Sequence, residues 1–282
     1  MSKHLTEIFG HTSLIKNLEA LRNLKKLPQA LLIIGPEQTG KFTIAQALAN
    51  QINDNILDQH IINEEGTIKI EQIRKLIEQL SLSPIGSARL VIIKNIDKLT
   101  REAANCLLKS LEEPASFTKF ILTSSQEFKI PETIRSRCQI FYIKDLTITE
   151  LIAFKKTHFS EQSVSDTELL LSLKRPGRLH KLLTDKEFNN NSQELLKTIT
   201  KIFSEKNLEK ALAFSKELSS EKNNLQLFFE ILESFLRFSD PSKKTAYWAG
   251  HTKLVNQFQN EIKQNQNQNL VLDQMFIELF QK

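Results

Sequence analysis

Residues 30–41, ALLIIGPEQTGK, decide the fold of this chain. The five apolar residues at its start are typical of a strand that is buried on both faces of a parallel sheet. Gly35 and Gly40 follow, with four residues between them, and Lys41 begins a predicted helix. This is the spacing of a phosphate-binding loop, in which backbone N–H groups surround a phosphate and the lysine reaches its outer oxygens. An ordinary strand-to-helix turn is the alternative interpretation.

The positions that would hold magnesium in such a loop carry unsuitable side chains. The residue after the lysine is normally Ser or Thr, but here it is Phe42, which has no oxygen to offer. Thr43 lies about 100° further around the helix and does not replace it easily. The next apolar block is followed by Lys94 and Asn95, where an ATPase of this class needs acidic residues. These substitutions predict a degenerate site that retains phosphate contacts without hydrolysing ATP.

Further apolar blocks predict a parallel sheet with helices on both faces. Besides residues 30–34 they are 89–93, 119–123 and 139–143, and the amphipathic stretch 100–113 completes a strand–helix–strand unit. Asp97 precedes that helix and is expected to cap it. The predicted first domain is an α/β P-loop domain that covers residues 1–144.

The remainder of the chain has helical spacing only. It predicts a small helical domain over 145–188 and an all-helical domain over 189–282. Residues 185–191 are polar and rich in asparagine, which indicates a linker. The Asn/Gln-rich segment 256–269 is interpreted as a polar loop or a solvated helix face.

Composition excludes several classes of protein. With 40% hydrophobic and 25% charged residues, the chain reads as a soluble globular protein, and we expect it in the cytoplasm. No apolar run approaches the ~20 residues of a membrane-spanning helix. Cys106 and Cys138 are the two cysteines, too few to form a four-ligand zinc site alone. The net charge of +5 is compatible with a polyanionic partner or with a merely basic surface.

A second candidate site is the loop 133–138, TIRSRC. It lies between two predicted strands, where an exposed arginine can approach an anionic ligand. The planar guanidinium of Arg137 has the donor geometry that matches phosphate oxygens. A pair of solvated surface arginines is the alternative interpretation.

Together these motifs resemble the clamp-loader branch of the AAA+ ATPases, and within it the delta-prime family of bacterial DNA polymerase III subunits. The resemblance covers most of the chain and is thin between about 185 and 255. The stretches that carry it are LPQALLIIGP at 27–36, IKIEQIR at 68–74, ANCLLKSLEEP at 104–114, TIRSRC at 133–138, RPGR at 175–178 and NQNLVLDQMF at 267–276.

The resemblance implies specific roles. Arg137, flanked by Ser136 and Cys138, would be an arginine finger that acts on ATP held by a neighbouring subunit. Arg178 would be the sensor-2 arginine of the chain's own degenerate nucleotide site, beside Gly35, Gly40, Lys41 and Thr43. No cofactor would be required, and residual binding of ATP or ADP is left open. Many relatives carry a four-cysteine zinc module that residues 51–65 lack, so no zinc is expected.

The resemblance also implies a setting for the chain. It would be a non-hydrolysing stator in a clamp loader, the all-helical domain would join a collar, and the small helical domain would act as a lid. The implied partners are gamma/tau and delta subunits, with the sliding clamp and primed DNA reached through the complex and no membrane. An active P-loop ATPase of the gamma/tau type or a replication-fork remodeller is the alternative.

Overall fold

A computed structural model describes residues 4–53, 55–64, 66–80, 84–115, 117–159, 164–220, 222–238, 245–263 and 267–281. The chain divides into two compact units. The N-terminal unit comprises Met1–Ser163 and Arg175–Gly177, and the C-terminal unit comprises Val164–Lys174 and Arg178–Lys282. The division into three domains at 144 and 188 stays a prediction.

The N-terminal unit is built on a five-stranded parallel sheet. Its strands are β1 (Ala30–Ile34), β2 (Gln59–Ile62), β3 (Arg89–Ile93), β4 (Thr118–Ser124) and β5 (Gln139–Tyr142), in the spatial order β2-β3-β4-β1-β5. Its helices are α1 (Thr12–Ala20), α2 (Lys41–Ile52), α3 (Ile70–Leu80), α4 (Arg101–Glu112), α5 (Glu132–Arg135) and α6 (Ile148–Phe159). This confirms the predicted α/β P-loop fold.

Both faces of the sheet are covered, which explains the continuous apolar blocks of β1 and β3. Leu31 and Ile33 pack on one face with residues of α1 and α2, whereas Leu32 and Ile34 pack on the other with residues of α3 and α4. All five residues of β1 are buried. Because successive side chains of a strand point to opposite faces, a strand buried on both sides needs apolar residues throughout.

The sequence analysis missed β2. Its residues Gln59-His-Ile-Ile62 are partly exposed at the edge of the sheet and pair only with β3. Only two of its four residues, Ile61 and Ile62, are apolar, so the pattern that revealed the other four strands is weak here.

The C-terminal unit is helical throughout its described residues. Its helices are α7 (Asp166–Ser172), α8 (Pro176–Thr184, of which the first two residues belong to the N-terminal unit), α9 (Lys186–Glu205), α10 (Leu208–Ser220), α11 (Lys222–Phe238), α12 (Thr245–Lys263) and α13 (Gln268–Gln281). Phe228, Phe229, Phe258 and Phe276 are almost fully buried in a single apolar core of this unit. The apolar spacing of the sequence therefore predicted this helical part correctly.

The linker predicted at 185–191 was wrong. Asp185 is the N-cap of α9, and its side chain accepts a hydrogen bond from the Phe188 backbone N–H. Asparagine and aspartate favour turns, but aspartate is also a preferred helix cap, and tertiary packing overrides the low helix propensity of asparagine. In the Asn/Gln-rich segment, α12 extends to Lys263 and α13 begins at Gln268, while residues 264–266 lie outside the described part.

Candidate nucleotide site and arginine loop

The loop after β1 depends on two glycines for its backbone conformation and packing. Gly40 is the N-cap of α2 with φ +96°, a left-handed conformation that glycine adopts without steric cost. Gly35 lies so close to β5 that an added Cβ would be 2.3 Å from the backbone oxygen of Ile143. Both glycines that the sequence singled out are therefore required by the backbone itself.

Lys41 folds back onto this loop. Its Nζ donates hydrogen bonds to the backbone oxygens of Gly35, at 2.7 Å, and Pro36, at 2.6 Å. Only 6% of the residue is exposed. The ammonium group is thus held at the mouth of the loop by backbone carbonyls.

Burial makes the charge of Lys41 costly. It lowers the pKa of the Lys41 amine from 10.5 to about 8. The carboxylates of Glu37 and Asp97 act in the opposite direction, while the positive charges of Arg175 and Lys94 lower this pKa further. Two carboxylates and two positive side chains therefore act on Lys41, and each carboxylate has the larger effect.

The two substituted metal positions contact each other. The Nζ atom of Lys94, at the carboxyl end of β3, lies 5.5 Å from the ring centroid of Phe42 in a cation–π contact. The Phe42 ring is half-buried and packs against the apolar core shared by α1, α2 and the sheet. The sequence predicted each substitution separately but not their contact, because residues 52 positions apart carry no joint periodic signal.

Asp97, three residues after Lys94 in the sequence, is already engaged in hydrogen bonds. The Oδ1 atom of Asp97 accepts hydrogen bonds from the Ser124 hydroxyl at 2.6 Å and from the Ser125 backbone N–H at 3.1 Å. The predicted cap of α4 was wrong, because Thr100 is the N-cap and its hydroxyl accepts from the backbone N–H of Ala103. Asp97 instead ties the segment after β3 to the end of β4.

A cavity of about 540 Å³ opens at the carboxyl ends of the strands. Ligands of open parallel sheets bind at this edge. The exposed Thr43 lines the cavity, and Asn95, with φ 57°, donates its backbone N–H to Thr123 Oγ1 at 3.2 Å. The other side chains that line the cavity include Lys41, Phe42, Lys94 and Lys98. The sequence-predicted residues of the degenerate site, Arg178 apart, are thus brought together in one place.

The donor set of this cavity does not suit magnesium, which prefers carboxylate, carbonyl, hydroxyl and water oxygens. Phe42 is apolar, and Lys94 brings a positive charge to the place where a carboxylate would be needed. Across the described ranges, no group of three or more His, Cys, Asp or Glu side chains could hold a metal ion. These side chains therefore do not fit a bound magnesium ion.

The RPG motif reaches the phosphate loop within the N-terminal unit. The Gly177 N–H donates to the Gln38 backbone oxygen at 2.9 Å, and a Cβ at Gly177 would be 2.8 Å from that oxygen. Arg175 forms an ion pair with Asp145, with 3.1 Å between its Nε and the carboxylate. A side chain larger than hydrogen at position 177 would thus press on the loop.

Arg178 makes its contacts in the C-terminal unit. It is 2% exposed, its Nε donates to the Leu171 backbone oxygen at 2.6 Å, and its guanidinium pairs with Glu230. The guanidinium also lies 5.6 Å from the ring centroid of Phe188. These buried contacts give Arg178 a structural task between helices, and its predicted role at a nucleotide stays a prediction.

Arg137 stands at the surface of the loop between α5 and β5. Its guanidinium donates to the Thr133 backbone oxygen at 2.8 Å and forms an ion pair with Glu112 at 2.5 Å. The two charged side chains are 36% and 42% exposed. The sequence analysis did not single out Glu112 by itself, although Glu112 belongs to the LEEP stretch at residues 111–114. One ion pair thus joins the SRC stretch, residues 136–138, to the LEEP stretch.

The other members of this loop are structural. The Ser136 hydroxyl donates to the Thr133 backbone oxygen at 3.2 Å. Burial raises the pKa of the Cys138 thiol to about 11, so this thiol is protonated and weakly nucleophilic at neutral pH. Arg135 is paired with Glu127 at 3.1 Å. Of the two arginines, Arg137 is the one positioned beside the LEEP glutamate.

The α/β P-loop fold of this chain is shared by two solved proteins. A DNA polymerase III gamma subunit-related protein from Thermotoga maritima superimposes with a TM-score of 0.52 at 20% identity, covering 92% of this chain and 97% of that one. The RuvB branch migration motor of the same organism gives a TM-score of 0.51 at 19% identity over 70% of this chain and 66% of that one.

Sequence comparison finds similarity to DNA polymerase III subunits and to a replication factor C subunit. Residues 52–147 match the family described as DNA polymerase III, delta subunit. The chain is 27% identical to DNA polymerase III subunit gamma of Buchnera aphidicola subsp. Baizongia pistaciae, over 63% of this chain and 55% of that protein. It is 34% identical to the replication factor C small subunit of Thermofilum pendens, over 51% and 46% respectively.

The chain spans about half the length of these curated relatives. The similarity supports the clamp-loader branch of AAA+ proteins and does not single out the delta-prime type. No helix among the described residues is long and apolar enough to cross a membrane.

Proposed function

We propose that this chain is a cytoplasmic, non-hydrolysing clamp-loader subunit of the delta-prime type, which supplies Arg137 to ATP bound by an adjacent gamma/tau subunit. The single observation that carries the proposal is the contact between Lys94 and Phe42 at the carboxyl ends of the strands. It fills the place where a working ATPase holds its metal with an aromatic ring and an ammonium group. The chain's own site then lacks the means to position magnesium for hydrolysis.

Arg137 supports the other half of the proposal. Its guanidinium is exposed and is held by the Thr133 backbone oxygen and one half-exposed carboxylate. A surface ion pair of this kind contributes at most about 1 kcal/mol, so exchanging Glu112 for a phosphate oxygen of a neighbour's ATP costs little. A guanidinium aimed at the transferred phosphoryl group stabilises the charge that develops there. No cofactor is needed for this action, and no zinc is involved.

The proposed partners are gamma/tau and delta subunits. The chain would open the sliding clamp and reach primed DNA only as part of that complex. The sequence matches to gamma subunits and to the replication factor C small subunit support a multi-subunit loader. The helical C-terminal unit is the proposed site of assembly into a collar.

The test is reconstitution. The purified chain, alone and mixed with gamma/tau and delta, is assayed for ATP hydrolysis with and without clamp and primed DNA. We expect the chain alone to be inert and the complex to lose stimulated hydrolysis at the adjacent site with Arg137→Ala. Arg22→Ala, an exposed arginine after α1, is the matched control and should leave the rate unchanged. Failure to assemble, or an unaltered rate with Arg137→Ala, would contradict the proposal.

An active P-loop ATPase of the gamma/tau type is the second candidate. The intact Gly35, Gly40 and Lys41 and the similarity to gamma subunits favour it. Release of phosphate from MgATP by the chain alone, abolished by Lys41→Ala, would establish it and refute the stator.

A further inference from the structure

We infer that the cavity beside the phosphate loop binds the polyphosphate chain of a nucleoside di- or triphosphate without magnesium, with the Lys94 ammonium group supplying the positive charge that the metal would bring. The inference deepens the proposed function, because a site that does not hydrolyse can still hold a nucleotide as a structural ligand. It concerns binding to the isolated chain and is therefore testable without the complex.

The charge around the cavity favours an anion. Lys41, Lys94 and Lys98 line it, and the electrostatic influence of Arg175 reaches Lys41 as well. The opposing carboxylates at this edge are Glu37 and Asp97. Asp97 is further occupied by hydrogen bonds from Ser124 and Ser125. Arg175 is neutralised by its ion pair with Asp145, so three positive side chains face two negative ones.

The ammonium group of Lys94 is held in place rather than left to solvent. Its cation–π contact with Phe42 fixes it at the carboxyl end of β3, one residue beyond the last position of that strand. The ring belongs to the second residue of α2, immediately after the phosphate-loop lysine. Ring and ammonium therefore stand where the hydroxyl and the carboxylate of a metal-binding P-loop would stand.

A magnesium ion at this place would be repelled by Lys94, whereas a phosphate chain would be attracted by it. Unit charges about 4 Å apart interact strongly at the effective dielectric of a protein surface. The loop and the start of α2 add backbone N–H groups, which suit phosphate oxygens. In the structure Lys41 donates to the Gly35 and Pro36 carbonyls. When a nucleotide binds, its phosphate oxygens offer Lys41 acceptors that bear full negative charge.

The volume of the cavity also suits a nucleotide. A cavity of about 540 Å³ is in the range of small-molecule sites, roughly 300 to 1,000 Å³. The exposed Thr43 and the backbone of Gly177 line it together with the lysines. The site is thus concave and basic, unlike a flat patch of surface lysines.

The experiment measures binding of ATP, ADP and inorganic pyrophosphate to the full chain by titration calorimetry, in EDTA and in excess magnesium. We expect ATP and ADP to bind in EDTA at least as tightly as in magnesium. Lys94→Gln should weaken binding in EDTA by roughly 10- to 100-fold, the loss of one charged contact. Lys75→Gln, an exposed lysine of α3, makes the same change of charge and should have no effect.

A second variant protects the test against a folding defect. Phe42→Thr combined with Lys94→Asp restores a hydroxyl and a carboxylate, and its nucleotide binding should become dependent on magnesium. Three results would overturn the inference: no binding of either nucleotide in EDTA at millimolar concentration, binding by the wild-type chain that requires magnesium, or binding that Lys94→Gln leaves unchanged. Binding of pyrophosphate without either nucleotide would overturn the assignment of a nucleoside ligand. None of these results bears on the trans action of Arg137, which the reconstituted complex tests separately.

Discussion

The buried charge of Lys41 should make the stability of the N-terminal unit depend on pH. Burial lowers the pKa of this amine from 10.5 to about 8 in the folded chain. At 1.36 kcal/mol per pKa unit, the charged lysine costs the folded state about 3 kcal/mol relative to the unfolded state. The cost is fully present below pH 8 and disappears as the folded state loses its proton between pH 8 and 10.5.

Lys41→Met keeps a long side chain and removes the charge. The free energy of unfolding of the wild-type chain should therefore rise relative to that of the variant by about 2 to 3 kcal/mol between pH 7 and pH 10. The two hydrogen bonds to Gly35 and Pro36 are lost in the variant at every pH below 8 and contribute a constant offset there. The sign of the pH-dependent change is thus set by deprotonation of the buried amine.

Urea unfolding followed by pulsed thiol labelling provides the assay. The chain's two cysteines, Cys106 and Cys138, both belong to the N-terminal unit, so labelling reports on that unit alone. The difference in unfolding free energy between wild type and Lys41→Met is taken at each pH, which cancels the intrinsic pH dependence of labelling. A difference that stays constant within about 0.5 kcal/mol from pH 7 to 10 would refute the reasoning.

Three further predictions follow from the packing. Glu112→Gln removes the half-exposed partner of Arg137. It should change the free energy of unfolding by less than about 1 kcal/mol in a urea titration and raise stimulated ATP hydrolysis of the complex up to about fivefold. A strong loss of hydrolysis would instead mean that the carboxylate positions the arginine. Gly35→Ala places a Cβ 2.3 Å from the Ile143 backbone oxygen and should destabilise the N-terminal unit by about 2 kcal/mol or more in the thiol-labelling assay, and an unchanged midpoint would show that β5 yields easily. Phe228→Ala empties a fully buried position in the C-terminal unit and should cost about 3 to 5 kcal/mol in thermal unfolding followed by circular dichroism, with a loss below about 1 kcal/mol arguing against a packed core there.

The elements that the sequence revealed are those whose signal is local. A strand buried on both faces has a continuous apolar centre, so β1, β3 and β4 appear as blocks in the sequence. The phosphate loop is also local, because the glycine spacing, the lysine and the start of the following helix lie within twelve residues. Gly35 and Gly40 could be assigned in advance since backbone conformation and close approach at these points exclude other residues.

Other elements could not be predicted because their form depends on contacts with distant parts of the chain. The edge strand β2 has a single neighbour, and only two of its four residues are apolar. The polar start of α9 resembles a linker until its packed face and its aspartate cap are seen. Asp97 was expected to cap α4, but Thr100 takes that position, because both residue types are good caps and only the path of the backbone decides between them.

The sequence by itself determined the class of fold, and it predicted the degenerate positions and the arginine of the SRC stretch, residues 136–138. Only the tertiary structure decided which charges meet. It joined Phe42 to Lys94 and Arg137 to Glu112, and it buried Arg178 beside Glu230. The physical reason is that periodicity and propensity act over a few residues, whereas an ion pair or a cation–π contact requires two side chains that are distant in sequence to meet in space.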